Sequence, residues 1–282
     1  LSRNLNGSFA DVSAAAGYRD TGFSQGLTVA DFNDDGFPDL FDANIGRNRL
    51  YRNNGDGTFT DVSDSAGLIG EQWTTSVAMV DLDGDSILDI YEANYCAGRA
   101  PFERECRNKF GLGTCSPLIF NAEPDRVWRG HGDGTFTETT DDWMTQTSPG
   151  RGLGLVAGEL DERPGVDVLV ANDMTVNHLW SSQPKSLQPS RGAFQLTDLG
   201  VVRGLGTSGK SHSQASMGIA AADADGDGDL DLFMTHFSDD YNTYYEHVAP
   251  GFWSDRSYQM GFSEPSMKML GFGTQWADFD NG

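Results

Sequence analysis

The sequence predicts an all-β chain folded as a β-propeller, with about five repeats visible and acidic loops that bind calcium. Three observations carry this prediction. Two motifs recur in a fixed order, the apolar runs between them have strand length, and no stretch shows a helical apolar period.

The first motif is G-x-F-x-[DE]-x-[ST]-x-x-x-G. It runs from Gly7 to Gly17, from Gly57 to Gly67 and from Gly251 to Gly261, with weaker copies starting at Gly134 and Gly192. The second follows it as Asp31-Phe-Asn33-Asp-Asp35-Gly36-Phe37-Pro-Asp39, then Asp81-Leu-Asp83-Gly-Asp85-Ser86-Ile87-Leu-Asp89. Later copies are Glu159-Leu-Asp161-Glu-Arg163-Pro-Gly-Val-Asp167 and Asp223-Ala-Asp225-Gly-Asp227-Gly228-Asp229-Leu-Asp231, and a fifth begins at Asp278-Phe-Asp280. Each copy is flanked by short runs of small and branched residues, such as Leu27–Ala30 before the first and Leu40-Phe41 after it. Bounded by Gly, Asp and Asn, these runs read as strands. A β-helix would repeat at a shorter period, and a sandwich would not repeat its sequence. Residues 1–282 are therefore read as one propeller domain. Leu1-Ser2-Arg3-Asn4 resembles the element Leu50-Tyr51-Arg52-Asn53, so we read the sequence as a piece of a longer chain that starts and stops inside repeats.

The chain of 282 residues carries 42 Asp plus Glu against 19 Lys plus Arg, a formal charge of −23. Such a field repels a phosphate backbone and argues against nucleic acid as a partner. Acidity can also mean disorder, but 17 Phe, 8 Tyr and 6 Trp argue for a packed core. No apolar run approaches the roughly 18–20 residues that span a bilayer, so no transmembrane segment is expected in this chain. No signal-like stretch opens it either.

The acidic loops account for the charge. Ca²⁺ takes six to eight oxygens, and carboxylates at positions 1, 3, 5 and 9 of a tight loop, with a carbonyl at position 7, can supply them. The expected ligands are Asp31, Asn33, Asp35, Phe37 and Asp39 in loop 1, and Asp81, Asp83, Asp85, Ile87 and Asp89 in loop 2. Asp223, Asp225, Asp227, Asp229 and Asp231 follow in loop 4, with Asp278 and Asp280 in the fifth. An EF-hand shares the opening residues but needs flanking helices and a Glu at position 12. That position holds Asp42, Glu92 and Met234, so only Glu92 keeps the EF-hand alternative open. Ordinary turn chemistry also favours Asp and Asn, yet it leaves so many clustered carboxylates uncompensated. Loop 3 is degenerate: Arg163 stands at position 5, and we expect it to replace the metal by pairing with Glu159, Asp161 or Asp167.

The blocks Asn53–Ser63 and Asp31–Leu40 resemble FG-GAP/VCBS repeats of the integrin α-subunit propeller. Asn121–Arg129, Gly152–Val156, Val170–Asp173, Ala215–Ile219, Asp239–Thr243 and Gly271–Asp280 further resemble the cartilage-acidic-protein family with its ASPIC/UnbV tail. That resemblance implies a calcium-binding propeller of the seven-bladed type, secreted or periplasmic, with adhesive or scaffold roles.

Cys96, Cys106 and Cys115 fall within one insertion, residues 95–123, without zinc-site spacing. A Cys106–Cys115 disulfide is expected, and the sequence leaves the other two pairings open. Gly204–Ser211 matches the P-loop pattern but lacks the following helix, so it is read as a hairpin loop within a blade. The five histidines show no ligand spacing, and no catalytic triad is present.

The functional expectation is a non-catalytic, calcium-binding module for adhesion, scaffolding or recognition of a protein or glycan, secreted, extracellular or periplasmic. Two alternatives come from other classes. One is a calcium-dependent carbohydrate-active enzyme resembling a polysaccharide lyase; the other is a structural subunit of a larger bacterial complex.

Overall fold

The computed structural model describes residues 1–108, 111–113, 115–145, 148–182 and 194–278. Strands dominate, and the α-helices among these residues are single turns of four residues. A hairpin of β1 (Ser2–Asn4) and β2 (Phe9–Asp11) comes first. Four four-stranded antiparallel sheets follow, arranged like propeller blades. Blade I is β3 (Phe23–Ala30), β4 (Asp39–Ile45), β5 (Arg49–Asn53) and β6 (Phe59–Asp61). Blade II begins with β7 (Thr74–Val80) and β8 (Asp89–Asn94). After the small hairpin of β9 (Cys106–Asn108) and β10 (Gly111–Gly113), it finishes with β11 (Arg126–Gly130) and β12 (Phe136–Glu138). Blade III is β13 (Gly152–Gly158), β14 (Asp167–Asn172), β15 (His178–Ser182) and β16 (Leu196–Asp198). Blade IV is β17 (Ser216–Ala222), β18 (Asp231–His236), β19 (Thr243–Ala249) and β20 (Phe252–Asp255).

Cores lie between successive blades. Phe41 and Leu50 of blade I meet Met79, Ile90 and Trp128 of blade II; Tyr91 and Val127 meet Val168 and Trp180; Leu169 and Leu179 meet Leu232 and Tyr245. The first strands β3, β7, β13 and β17 lie against one another in succession. Their approach explains the small residues in the sequence. A Cβ on Gly26, Gly154 or Gly218 would collide with the backbone oxygen of Thr75, Met217 or Phe272 in the next repeat. In blade II the position holds Ser76, whose Oγ donates to the Leu153 carbonyl at 2.6 Å instead.

The first motif is a blade-to-blade fastener. The amides of Phe59, Phe136 and Trp253 donate to the carbonyls of Ala16, Ala66 and Arg203, at 2.7, 2.8 and 2.9 Å. Its Asp and Ser positions form a local turn, as where Asp61 Oδ1 accepts from the Ser63 amide at 3.0 Å and its hydroxyl at 2.6 Å. β1 and β2 pair as β5 and β6 do, which makes them the outer strands of another repeat.

Cys106 and Cys115 form a disulfide, and Cys96 is free and buried. The P-loop-like segment lies between blades III and IV rather than within a blade as expected. β17 follows it, so no helix takes the place a nucleotide site needs.

Candidate metal-binding loops

Each of loops 1 to 4 joins the first strand of a blade to the second, and all four share one frame. Position 4 adopts a left-handed backbone, with φ of 56° at Asp34, 77° at Gly84, 61° at Glu162 and 81° at Gly226. Position 2 anchors the loop in the core through Phe32, Leu82 and Leu160, all buried. The position 9 aspartate is buried and ties loop to sheet. Asp89 accepts the amides of Leu82 and Gly130, both at 2.9 Å, and Asp39 those of Phe32 and Asn53 at 3.2 and 2.7 Å. Asp231 takes the amides of Ala224 and His247 at 3.2 and 2.9 Å and the Tyr244 hydroxyl at 2.8 Å. Burial pushes the Asp89 carboxyl up to about 7 and the Asp167 carboxyl up to about 6.

In the three acidic loops the position 1 carboxylate spans the turn. Asp31 accepts the amides of Asp35 and Gly36 at 3.0 and 2.7 Å, Asp81 those of Asp85 and Ser86, and Asp223 those of Gly226 and Gly228. This brings the position 3 and 5 side chains onto the same side. Carboxylate oxygens of Asp81, Asp83 and Asp89 lie within 4.8 Å of one another, as do those of Asp223, Asp225 and Asp227. In loop 1, Asn33 donates its Nδ2 to Asp35 at 2.8 Å, while its Oδ1 is buried with no hydrogen-bond partner. An orphaned buried oxygen among carboxylates is the donor set a hard cation satisfies. The side chains gathered in loops 1, 2 and 4 therefore fit the oxygen donor set of calcium. Asp278 is described, while Asp280 lies outside the described residues.

Three arginines qualify this picture. Arg129 of β11 reaches loop 2, with Nη2 at 3.2 Å from Asp83 and 3.0 Å from Asp85. Burial raises the Asp83 carboxyl; at Asp85 burial opposes ionisation, but the Arg129 bond holds the carboxyl below its usual range. In loop 3 the expected Arg163 does approach Asp161, at 3.7 Å, but its side chain is 49 % exposed. The buried cation is Arg203, 5 % exposed, which lies between blades III and IV at 3.6 Å from the same Asp161 oxygen and donates to the Gly251 carbonyl at 2.9 Å. Glu159 and Asp167 make no ion pair among the described residues, so the positive charge at loop 3 centres on Asp161 and comes from Arg163 and from Arg203, an arginine that sequence reasoning passed over.

The EF-hand alternative ends at Glu92. Its side chain lies in β8 and accepts from Asn48 Nδ2 at 2.7 Å rather than serving loop 2. Asp42, the same position in loop 1, accepts from Tyr18 and Ser24. His247 was also missed, because its partners are distant in sequence. Its ring meets Asp229 of loop 4 and Glu162 of loop 3.

A family profile described as an FG-GAP-like repeat matches residues 31–92, the span of loops 1 and 2. No curated protein sequence matches the chain. Among solved structures, an Agrocybe aegerita lectin that recognises non-reducing terminal N-acetylglucosamine aligns at 17 % identity and a TM-score of 0.47, over 95 % of this chain and 62 % of its own. The V. cholerae biofilm matrix protein Bap1 aligns at 15 % identity and a TM-score of 0.40, over 83 % of this chain and 39 % of its own. This chain thus spans less than two thirds of either.

Proposed function

We propose that the protein is a calcium-stabilised propeller module that recognises a protein or glycan partner outside the cytoplasm, without catalysing a reaction. The observation that carries the reading is the buried, partnerless Asn33 Oδ1 beside Asp31 and Asp35, in a loop whose frame recurs with three or more carboxylates in loops 2 and 4. Bound calcium would supply the positive charge those carboxylates lack. The chain's own residues hold the oxygens in place through the position 1 and position 9 aspartates. We read the kinship as FG-GAP/VCBS repeats of the cartilage-acidic-protein type and the closed form as seven-bladed.

An extracytoplasmic setting accords with both the calcium loops and the Cys106–Cys115 disulfide, which needs an oxidising compartment. A cavity of about 450 Å³ between blades II and III, lined by Asp125, Thr140, Asp141, Met144, His178 and Trp180, offers a rigid recess for a partner's group.

Metal analysis and thermal unfolding, with calcium and after chelation, test the reading. Three ions per chain and a large drop in melting temperature are expected, since each site adds about 2.7 kcal/mol at a hundredfold excess of calcium over Kd. Equal melting in both conditions, with no ion retained, would return the loops to turn chemistry.

A further inference from the structure

Between loops 3 and 4, three side chains meet that the calcium reading leaves without a task. Glu162 is position 4 of loop 3, Asp229 is position 7 of loop 4, and His247 belongs to β19. Their ligand atoms lie within 4.8 Å of one another. His247 Nδ1 is 3.1 Å from Asp229 Oδ2 and 3.6 Å from Glu162 Oε1. The His247 side chain is only 1 % exposed, and its Nδ1 has no hydrogen-bond partner. Asp229 would serve calcium through its carbonyl, which leaves its carboxylate free.

We propose that Glu162, Asp229 and His247 form a second cation site, distinct in chemistry from the calcium loops, that takes a borderline metal such as Zn²⁺. An imidazole nitrogen with two carboxylates is a donor set that suits zinc, whereas calcium is held by oxygen alone. Three protein ligands leave a fourth tetrahedral position to water. A divalent ion also offsets two carboxylates that stand side by side. The site spans blades III and IV, so it fastens the loop that lost its calcium ligands to the one that kept them.

The ring's protons give the proposal a signature of its own. The Gly251 amide donates to His247 Nε2 at 3.0 Å, so a neutral ring in this arrangement keeps its proton on Nδ1. A metal at Nδ1 takes that proton's place. Nε2 then holds the ring proton, and the Gly251 amide must give up its acceptor.

The test is calorimetric titration of the whole, calcium-saturated chain with ZnCl₂, repeated on Glu162→Gln and His247→Gln, with the Gly251 amide followed by NMR. One zinc per chain is expected beyond the calcium complement. Each substitution should weaken it by at least the roughly 10–100-fold that loss of an outer-shell partner costs. The Gly251 resonance should move with zinc in the parent chain and only at correspondingly higher zinc in Glu162→Gln. Glu162 is 43 % exposed, so that variant decides the matter even where His247→Gln fails to fold. Zinc that fails to bind above excess calcium, that only displaces calcium from the loops, or whose affinity ignores Glu162→Gln overturns the proposal.

Discussion

Loops 1 and 3 share one frame and resolve the same problem in opposite ways. In both, position 4 is left-handed, position 2 is buried, and the position 9 aspartate accepts amides from the loop. In both, a position 3 oxygen is buried without a hydrogen-bond partner: Asn33 Oδ1 in one, Asp161 Oδ2 in the other. Loop 3 places Arg203 and Arg163 beside that oxygen, while no ion pair among the described residues reaches loop 1. The frame is therefore set by positions 2, 4 and 9, while positions 1, 3 and 5 are where the two loops differ in chemistry. On the proposed calcium reading, a loop of this frame does without the ion where another part of the chain brings positive charge, as Arg203 does for loop 3.

The sharpest way to break this comparison is to remove the cation from loop 3. Arg203→Ala leaves the buried Asp161 with only the exposed, solvent-screened Arg163 beside it, which should cost about 3–5 kcal/mol. Melting curves would register the loss, and added calcium should not restore it, because Arg163 occupies the position 5 ligand place. Full rescue by calcium would mean that loop 3 is an ordinary metal site.

The matching change in loop 1 is Asp31→Ala, which removes the carboxylate that spans the turn. We expect one calcium fewer per chain and a loss of about 2–3 kcal/mol at a hundredfold excess over Kd. The loss should shrink after chelation, when the parent chain has lost the same ion. A deficit that persists undiminished without calcium would assign Asp31 to the turn alone.

A smaller effect separates the frame from the cation by pH. Asp167, raised to about 6 by burial, sits in the loop whose position 5 is an arginine. An acid whose folded pKa lies above its unfolded one stabilises fully below the unfolded value, and that contribution is lost as pH rises through the folded value. The parent chain in saturating calcium should therefore lose about 1–3 kcal/mol relative to Asp167→Asn between pH 4 and pH 6, and no more above that. Parallel melting profiles across this range would place the ionised carboxylate at no disadvantage in the fold.

Much of this architecture was legible in the sequence, because repetition turned local chemistry into a pattern. The Asp-x-Ser turns, the position 9 aspartates and the close-approach glycines recur at fixed offsets, and each has a local or next-strand cause. Arg203, Arg129 and His247 did not declare themselves. Arg203 meets an aspartate 42 residues earlier, and His247 a glutamate 85 residues earlier, across a blade boundary with no repeated spacing to mark it. Arg163 drew the reading toward itself because it stands inside the loop, while the structure gives burial to the arginine outside it.

That contrast yields the smallest prediction. Arg163 and Arg203 lie at nearly the same distance from Asp161, 3.7 and 3.6 Å, but differ in exposure, 49 % against 5 %. Solvent screens the exposed pair and side-chain entropy opposes it, so Arg163→Ala should cost less than about 1 kcal/mol. The deficit should also fade as salt is raised, whereas the Arg203→Ala loss should persist, because a buried pair is screened far less. Both variants, melted at low and high ionic strength, form a direct test. Equal losses at both sites, or equal salt sensitivity, would show that distance rather than burial decides which arginine stands in for the metal.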